Sequence, residues 1–125
     1  MNSYDMKQSF DLEIFFKREK DWRIGNIVYQ VFVDRFAPPA DLEKKKHIYQ
    51  FPKVLHPWKE IPRHGKFLEN EKVWSHEIDF WGGDLQSLSS KLDHLTMLGV
   101  DVLYLNPIHS AFTNHKYDAT DYHII

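Results

Sequence analysis

The stretch DLQSLSSKLDHLTMLGVDVLYL, residues 84–105, predicts a helix followed directly by a buried strand. Leucines recur every three or four residues in its first part, which gives a helix over 84–98 one apolar face. These are Leu85, Leu88, Leu92, Leu95 and Leu98. Asp84 can cap the N-terminus of this helix, and Gly99 can end it. The segment 100–105, VDVLYL, then predicts a strand that stops before Pro107, since proline cannot donate to a sheet.

A second apolar run lies upstream. Residues 27–33, IVYQVFV, are nearly all apolar and rich in β-branched and aromatic side chains, which is typical of a strand buried on both faces of a parallel sheet. Between it and the helix, residues 37–80 hold five of the six prolines and show no clear period, so we expect a long functional loop there. The order strand, loop, helix, strand predicts one βαβ unit with parallel strands.

The first 26 residues form a lead-in segment, 1–26, with weak periodicity. A short strand is predicted from the alternation of Phe10, Leu12, Ile14 and Phe16. The first ten residues lack a basic start followed by an apolar core, so no signal peptide is visible and we expect a cytoplasmic protein.

Composition excludes several classes of function. The formal net charge is -2 with no basic stripe, which argues against a nucleic-acid surface or an anionic membrane as partner. The chain has no cysteine, so disulfides and thiolate metal sites are excluded. Aromatic residues make up 15% of the chain. Aromatic rings can stack on sugars, but core packing explains such a composition at least as well.

Polar side chains follow both predicted strands, and parallel α/β folds bind ligands beyond the carboxyl ends of their strands. The first strand leads into Asp34 and Arg35, where a charge pair can fix the loop. The second leads into NHKYD, residues 114–118, and then Asp121 and Tyr122. Donors, acceptors and two aromatic rings in nine residues suit a sugar, although the pattern alone leaves a purely structural role open.

Four blocks of sequence, in this order, resemble the α-amylase family of glycoside hydrolases. They are VYQVFVDRF (28–36), FWGGDL (80–85), LGVDVLYLNPI (98–108) and NHKYD (114–118). The last block, with Asp121 and Tyr122, is similar to the version found in neopullulanases, cyclomaltodextrinases and maltogenic amylases. The resemblance implies an α/β fold that is the N-terminal βαβ portion of a TIM (β/α)8 barrel, incomplete in this chain. Residues 27–125 would form the first part of the catalytic barrel, with 106–125 as the substrate rim.

The resemblance also implies roles for two residues of this rim. Tyr117 matches the tyrosine that stacks on the glucose at the bond-cleaving subsite, and His115 matches the histidine that hydrogen-bonds hydroxyls of the same sugar. The expected substrate is therefore an α-glucan oligosaccharide or polysaccharide. The alternatives are a packed rim aromatic for Tyr117 and a hydrogen-bonded structural imidazole for His115.

Calcium is implied for many relatives, held by a Gly-x-Asp at the start of the first barrel helix and by Asn or Asp residues from the preceding loop. Gly82 and Asp84 match the first part, but the loop here begins APPAD, residues 37–41, without that series. Because calcium needs about six to eight oxygen ligands, we expect no metal site, and no cofactor is implied.

Catalytic residues are not expected in this chain. Glycoside hydrolysis needs two carboxylates across the scissile bond. The family's nucleophilic aspartate lies in a Gly-x-Arg-x-Asp pattern, which none of the four arginines shares, and Ser110 stands where the family has a further aspartate. We therefore expect a fragment of a retaining α-glucan hydrolase or transglycosylase, inactive alone. The alternative is a non-catalytic chain with a binding or assembly role. Uncovered strand faces predict association with the remainder of the barrel or with itself.

Overall fold

The structure, a computed structural model, describes residues 12–125 of the chain. Its first element is helix α1, Leu12–Glu19, so the expected strand over this stretch is wrong, while Phe10 lies outside the described residues. A helix brings Glu13 within 3.0 Å of Lys17, one turn later, a pairing that a strand does not allow. No helix among residues 12–125 is long and apolar enough to cross a lipid bilayer.

The centre of the fold is a pair of parallel strands, β1 (Val28–Val31) and a later strand β6 (Val102–Leu105). Their register runs from Val28 opposite Val102 to Val31 opposite Leu105. Both strands are shorter than the predicted ranges 27–33 and 100–105. The chain leaves β1 early because Val33–Arg35 turns into a 3-10 helix, which carries Asp34 towards the end of the loop.

The predicted helix over 84–98 is two short helices, α2 (Leu85–Ser89) and α3 (Leu92–Met97). The break has a local cause: the Ser90 hydroxyl donates to the Ser87 carbonyl at 2.7 Å and competes with the helical hydrogen bonds. Both predicted ends are confirmed. Asp84 accepts a hydrogen bond from the Ser87 N–H, and Gly99, at φ +75°, ends α3 in a left-handed conformation.

The Pro-rich loop, residues 37–80, has more regular structure than expected. It contains a 3-10 helix over Glu43–Ile48, the short strands β2 (Val54–Leu55), β3 (Phe67–Leu68), β4 (Val73–Trp74) and β5 (Asp79–Phe80), and a 3-10 helix over Ser75–Glu77. β2 pairs with β5 in parallel, and β3 pairs with β4 antiparallel. Such two-residue ladders have no hydrophobic period, which is why the sequence pattern did not predict them. After β6, the strands β7 (Ser110–Ala111) and β8 (Ala119–Asp121) form an antiparallel hairpin.

One cluster of the core lies where Leu88 of α2 packs against the ends of the parallel strands. Val31, Val33 and Leu88 are buried there, and their partly buried neighbours are Phe36, Leu103, Leu105 and Ile108. The first three positions of β1 are exposed, with Val28 at 59%. Only Leu88 and Leu95 of the five helix leucines are buried, so the helices leave much of the sheet uncovered.

Candidate functional site

Asp34 fixes the end of the Pro-rich loop to the end of β1. Its carboxylate, 5% exposed, accepts hydrogen bonds from the main-chain N–H of Trp81 at 3.0 Å and of Gly82 at 2.9 Å. Gly83 N–H donates to the Asp34 carbonyl at 2.9 Å. Burial raises the pKa of the Asp34 carboxyl above its usual range, an effect that the two hydrogen bonds to its side chain oppose. Asp34 therefore has a positioning role.

Arg35 completes this attachment from the other side. Its guanidinium lies 4.3 Å from the ring centroid of Trp81 and 5.3 Å from that of Phe32, in cation–π contacts. Its Nη2 lies 3.4 Å from the Asp79 carbonyl, and its Nε lies 3.8 Å from the Asp34 carboxylate. The pair thus fixes the loop, as expected from its place at the strand end.

Within the rim segment, residues 106–125, Asp118 holds Thr113 in place by hydrogen bonds. Its carboxylate accepts from the Thr113 N–H at 3.0 Å and pairs with the Thr113 hydroxyl. Thr113 Oγ1 also lies 3.1 Å from Nδ1 of His115. The turn between them needs a left-handed residue, which is Lys116 at φ +61°. This conformation brings the rings of His115 and Tyr117 to the same side, 5.8 Å apart and inclined at 37°.

Tyr117 and His115 differ in how free they are. Tyr117 is 65% exposed, so the faces of its ring are open to a ligand. His115 is half-buried: its Nδ1 accepts from the Tyr117 N–H at 3.1 Å, and its Nε2 lies 3.5 Å from the Glu77 carboxylate. An imidazole nitrogen beside an exposed tyrosine ring can hydrogen-bond a sugar hydroxyl.

Asn114 ties the rim to the Pro-rich loop. It is 5% exposed, and its amide donates to the carbonyls of His76 at 2.6 Å and Asp79 at 2.8 Å. Its main-chain N–H donates to the Glu77 carbonyl at 2.7 Å. The sequence placed Asn114 among the binding candidates, and the structure gives it a positioning role instead. Glu77, 38 residues before His115, gave no local signal of this contact.

A cavity of about 620 Å³ lies elsewhere, between the Pro-rich loop and the ends of the parallel strands. Its lining includes Phe32, Tyr49, Phe80, Ile108 and Ile125. Neither Tyr117 nor His115 lines it. The candidate sugar contacts Tyr117 and His115 therefore lie outside this cavity, although Asn114 and Lys116 of the same rim line it.

The two positions that match the relatives' calcium ligands do not fit a calcium ion here. The Lys45 ammonium donates to the Gly82 carbonyl at 2.9 Å and forms an ion pair with the Asp84 carboxylate. Among residues 12–125, no three His, Asp or Glu side chains are grouped so that they could hold a metal. The oxygens that calcium would require are therefore too few and are bound to an amine.

Comparison with known proteins places the strands and the rim in one family. A family model for the alpha amylase catalytic domain matches residues 30–125. The chain belongs to the alpha-amylase family. The amylopullulanase of Thermoanaerobacter thermohydrosulfuricus is 36% identical over 126 positions, which cover 92% of this chain and 8% of that protein. The intracellular maltogenic amylase of Bacillus subtilis strain 168 is 39% identical over 103 positions, covering 82% of this chain and 14% of that protein.

Solved structures agree with this assignment. The cyclic alpha-maltosyl-(1→6)-maltose hydrolase of Arthrobacter globiformis, in complex with cyclic alpha-maltosyl-(1→6)-maltose, matches with a TM-score of 0.58 and 36% identity. The match covers 82% of this chain and 19% of that one. The alpha-amylase family chain described here therefore spans less than a fifth of the length of these relatives.

Proposed function

We propose that these 125 residues are the first part of a TIM (β/α)8 barrel in a retaining hydrolase or transglycosylase that acts on α-glucans. Family membership supports this proposal, as does the parallel pairing of β1 with β6 across a helical connection. A complete barrel takes about 250 residues, so most strands and the catalytic carboxylates would lie outside these residues. The exposed strand faces are where the remaining strands and helices would pack.

Within this enzyme, Tyr117 would stack on the sugar at the bond-cleaving subsite, and His115 would hydrogen-bond its hydroxyls. The observation that carries the proposal is the exposed ring of Tyr117 beside His115 Nε2, on the segment that follows a parallel strand. Stacking and hydrogen bonding at the reacting sugar lower the barrier only if they strengthen in the transition state. Their loss should therefore reduce kcat/KM and not stability.

The test is kinetic and uses the full-length product of the gene that encodes these residues, with a maltooligosaccharide as substrate. Tyr117→Ala should lower kcat/KM about tenfold or more, for a stacking contribution of about 1.5 kcal/mol. Tyr117→Phe should retain most activity because the ring remains. Trp22→Ala, which removes another exposed aromatic outside the rim, is the control and should change little. An unchanged kcat/KM in a folded Tyr117→Ala enzyme contradicts the subsite assignment.

The alternative is a non-catalytic chain with a binding or assembly role, in which another chain would cover the exposed apolar positions of β1. The gene's reading frame after Ile125 separates the two functions. Continuation into a Gly-x-Arg-x-Asp pattern supports the enzyme, and a stop codon supports the alternative. The isolated 125 residues should in either case release no reducing ends from starch, pullulan or a cyclodextrin. Turnover that disappears on mutating a residue of this chain would contradict that expectation.

A further inference from the structure

Lys45 reaches from the Pro-rich loop to the start of helix α2. It lies in the 3-10 helix Glu43–Ile48, and its side chain is only 21% exposed. Its ammonium donates to the carbonyl of Gly82 and pairs with the carboxylate of Asp84. The neighbouring Lys44 and Lys46 extend into solvent, so this one lysine of the run has a distinct environment.

Asp84 holds the ammonium with one oxygen and the helix with the other. Oδ1 accepts from the Ser87 N–H at 2.6 Å, while Oδ2 faces Lys45. Burial on its own would raise the pKa of the Asp84 carboxyl, but the hydrogen bonds from Lys45 and Ser87 outweigh it and lower that pKa. The carboxylate therefore stays ionised while it caps the helix and binds the amine.

Packing beside this ion pair holds the loop in the same place. A Cβ atom at Gly82 would lie 2.8 Å from Cδ1 of Leu42, so the residue before the 3-10 helix sits directly against the start of α2. Gly82 is at φ +79°, a conformation that glycine adopts with little steric cost. The loop segment that carries Lys45 thus contacts the start of α2 through Leu42 as well as through the ion pair.

We propose that the Lys45 ammonium is the resident cation at the start of α2 and takes the position that calcium occupies in the resembling enzymes. The same two oxygen donors, the Gly82 carbonyl and the Asp84 carboxylate, would serve either cation. A lysine needs only those donors, whereas calcium needs about six to eight. Because the charge is part of the chain, chelation cannot remove it and the divalent-ion concentration cannot vary its occupancy.

Hydrogen–deuterium exchange in the full-length gene product tests this proposal, since it measures the local opening of α2. In the wild type, neither EDTA nor excess calcium chloride should change exchange in residues 84–89. Lys45→Met should accelerate exchange there about tenfold, because a charge-assisted hydrogen bond and ion pair are lost from a half-buried site. Lys46→Met is the matched control: Lys46 is the next residue, pairs with Glu43 at 2.6 Å and should leave α2 unchanged.

Two results would overturn the proposal. One is faster exchange of the wild-type segment in EDTA or slower exchange in calcium chloride, which needs no variant to fold. The second is equal exchange in Lys45→Met and Lys46→Met.

Discussion

Asp34→Ala removes the acceptor for two buried main-chain N–H groups, those of Trp81 and Gly82. A buried donor left without a partner costs about 1–3 kcal/mol, so the two together cost about 2–6 kcal/mol. The variant no longer buries a carboxylate, which offsets part of that cost. We expect a net loss of about 3 kcal/mol in the free energy of local opening, or amide exchange about a hundredfold faster at these two positions.

The measurement is amide exchange by NMR in the full-length gene product, with the amides of α3 as an internal reference. Asp34→Asn is the control, since it keeps the shape and one acceptor oxygen and should lose only about 1 kcal/mol. If Trp81 and Gly82 exchange as slowly in Asp34→Ala as in the wild type, the carboxylate does not fix the loop and the reasoning is refuted.

The same residue gives a pH dependence with a defined sign. Because burial raises the folded-state pKa of Asp34 above the value of 3.8, its ionisation opposes folding. The stability contributed by the protonated Asp34 carboxyl is fully present below pH 3.8 and is lost as the pH rises through the folded-state pKa. The free energy of unfolding of the wild type should therefore fall relative to Asp34→Asn over that interval, as followed by urea titration. A difference that stays constant with pH would contradict the assignment.

Three further predictions concern the loop and the exposed sheet. Gly83→Ala should lower the free energy of unfolding in urea by about 3 kcal/mol, because the new Cβ would lie 2.3 Å from the Val33 carbonyl oxygen. Gly25→Ala, whose Cβ would have no atom within 4 Å, should lower it by only about 1–2 kcal/mol, and equal losses would contradict this. Burial lowers the pKa of His56, but hydrogen bonds from its ring to Asp79 and Glu60 outweigh burial and raise that pKa above 6.5. The stabilisation of the loop by His56 should therefore be present below pH 6.5 and lost as the pH rises through the folded-state pKa. An NMR titration midpoint at or below 6.5 would exclude it. The isolated 125 residues should self-associate or lack fixed packing, and a monomeric boundary in sedimentation velocity with a cooperative melt would refute that.

The sequence predicted those parts of the fold that depend on near neighbours along the chain. The leucine period and the apolar run at 100–105 located the helical region and β6, and Asp84 and Gly99 marked the ends of that region correctly. It failed at the Ser90 break, because a single hydroxyl hydrogen bond does not alter the hydrophobic period. It also failed at the lead-in, where alternating apolar residues fitted a strand but Leu12–Glu19 is a helix.

The parts of the site that escaped prediction are contacts between residues far apart in the chain. Asp34 meets Trp81 across 47 positions, Lys45 meets Asp84 across 39, and Asn114 meets the His76 carbonyl across 38. No local pattern encodes such pairs, since each depends on the path of the Pro-rich loop. The motif predicts Tyr117 and His115 as sugar contacts, but it does not encode that their rings lie 5.8 Å apart or that Glu77 contacts His115.

The attachment of the rim to the loop affects which residues of this region can be substituted in evolution. Asn114 and Arg35 bind main-chain carbonyls at positions 76 and 79, and these oxygens are present whatever side chain stands there. Substitution at position 76 can thus alter the loop's surface while the course of its backbone is kept, whereas the Asp79 side chain is also held by its hydrogen bond to His56. Asn114 and Arg35 have no such freedom, because their own side chains supply the donors. We expect natural sequences to vary at position 76, which supplies a main-chain carbonyl, and to vary little at Asn114 and Arg35, which supply the donors.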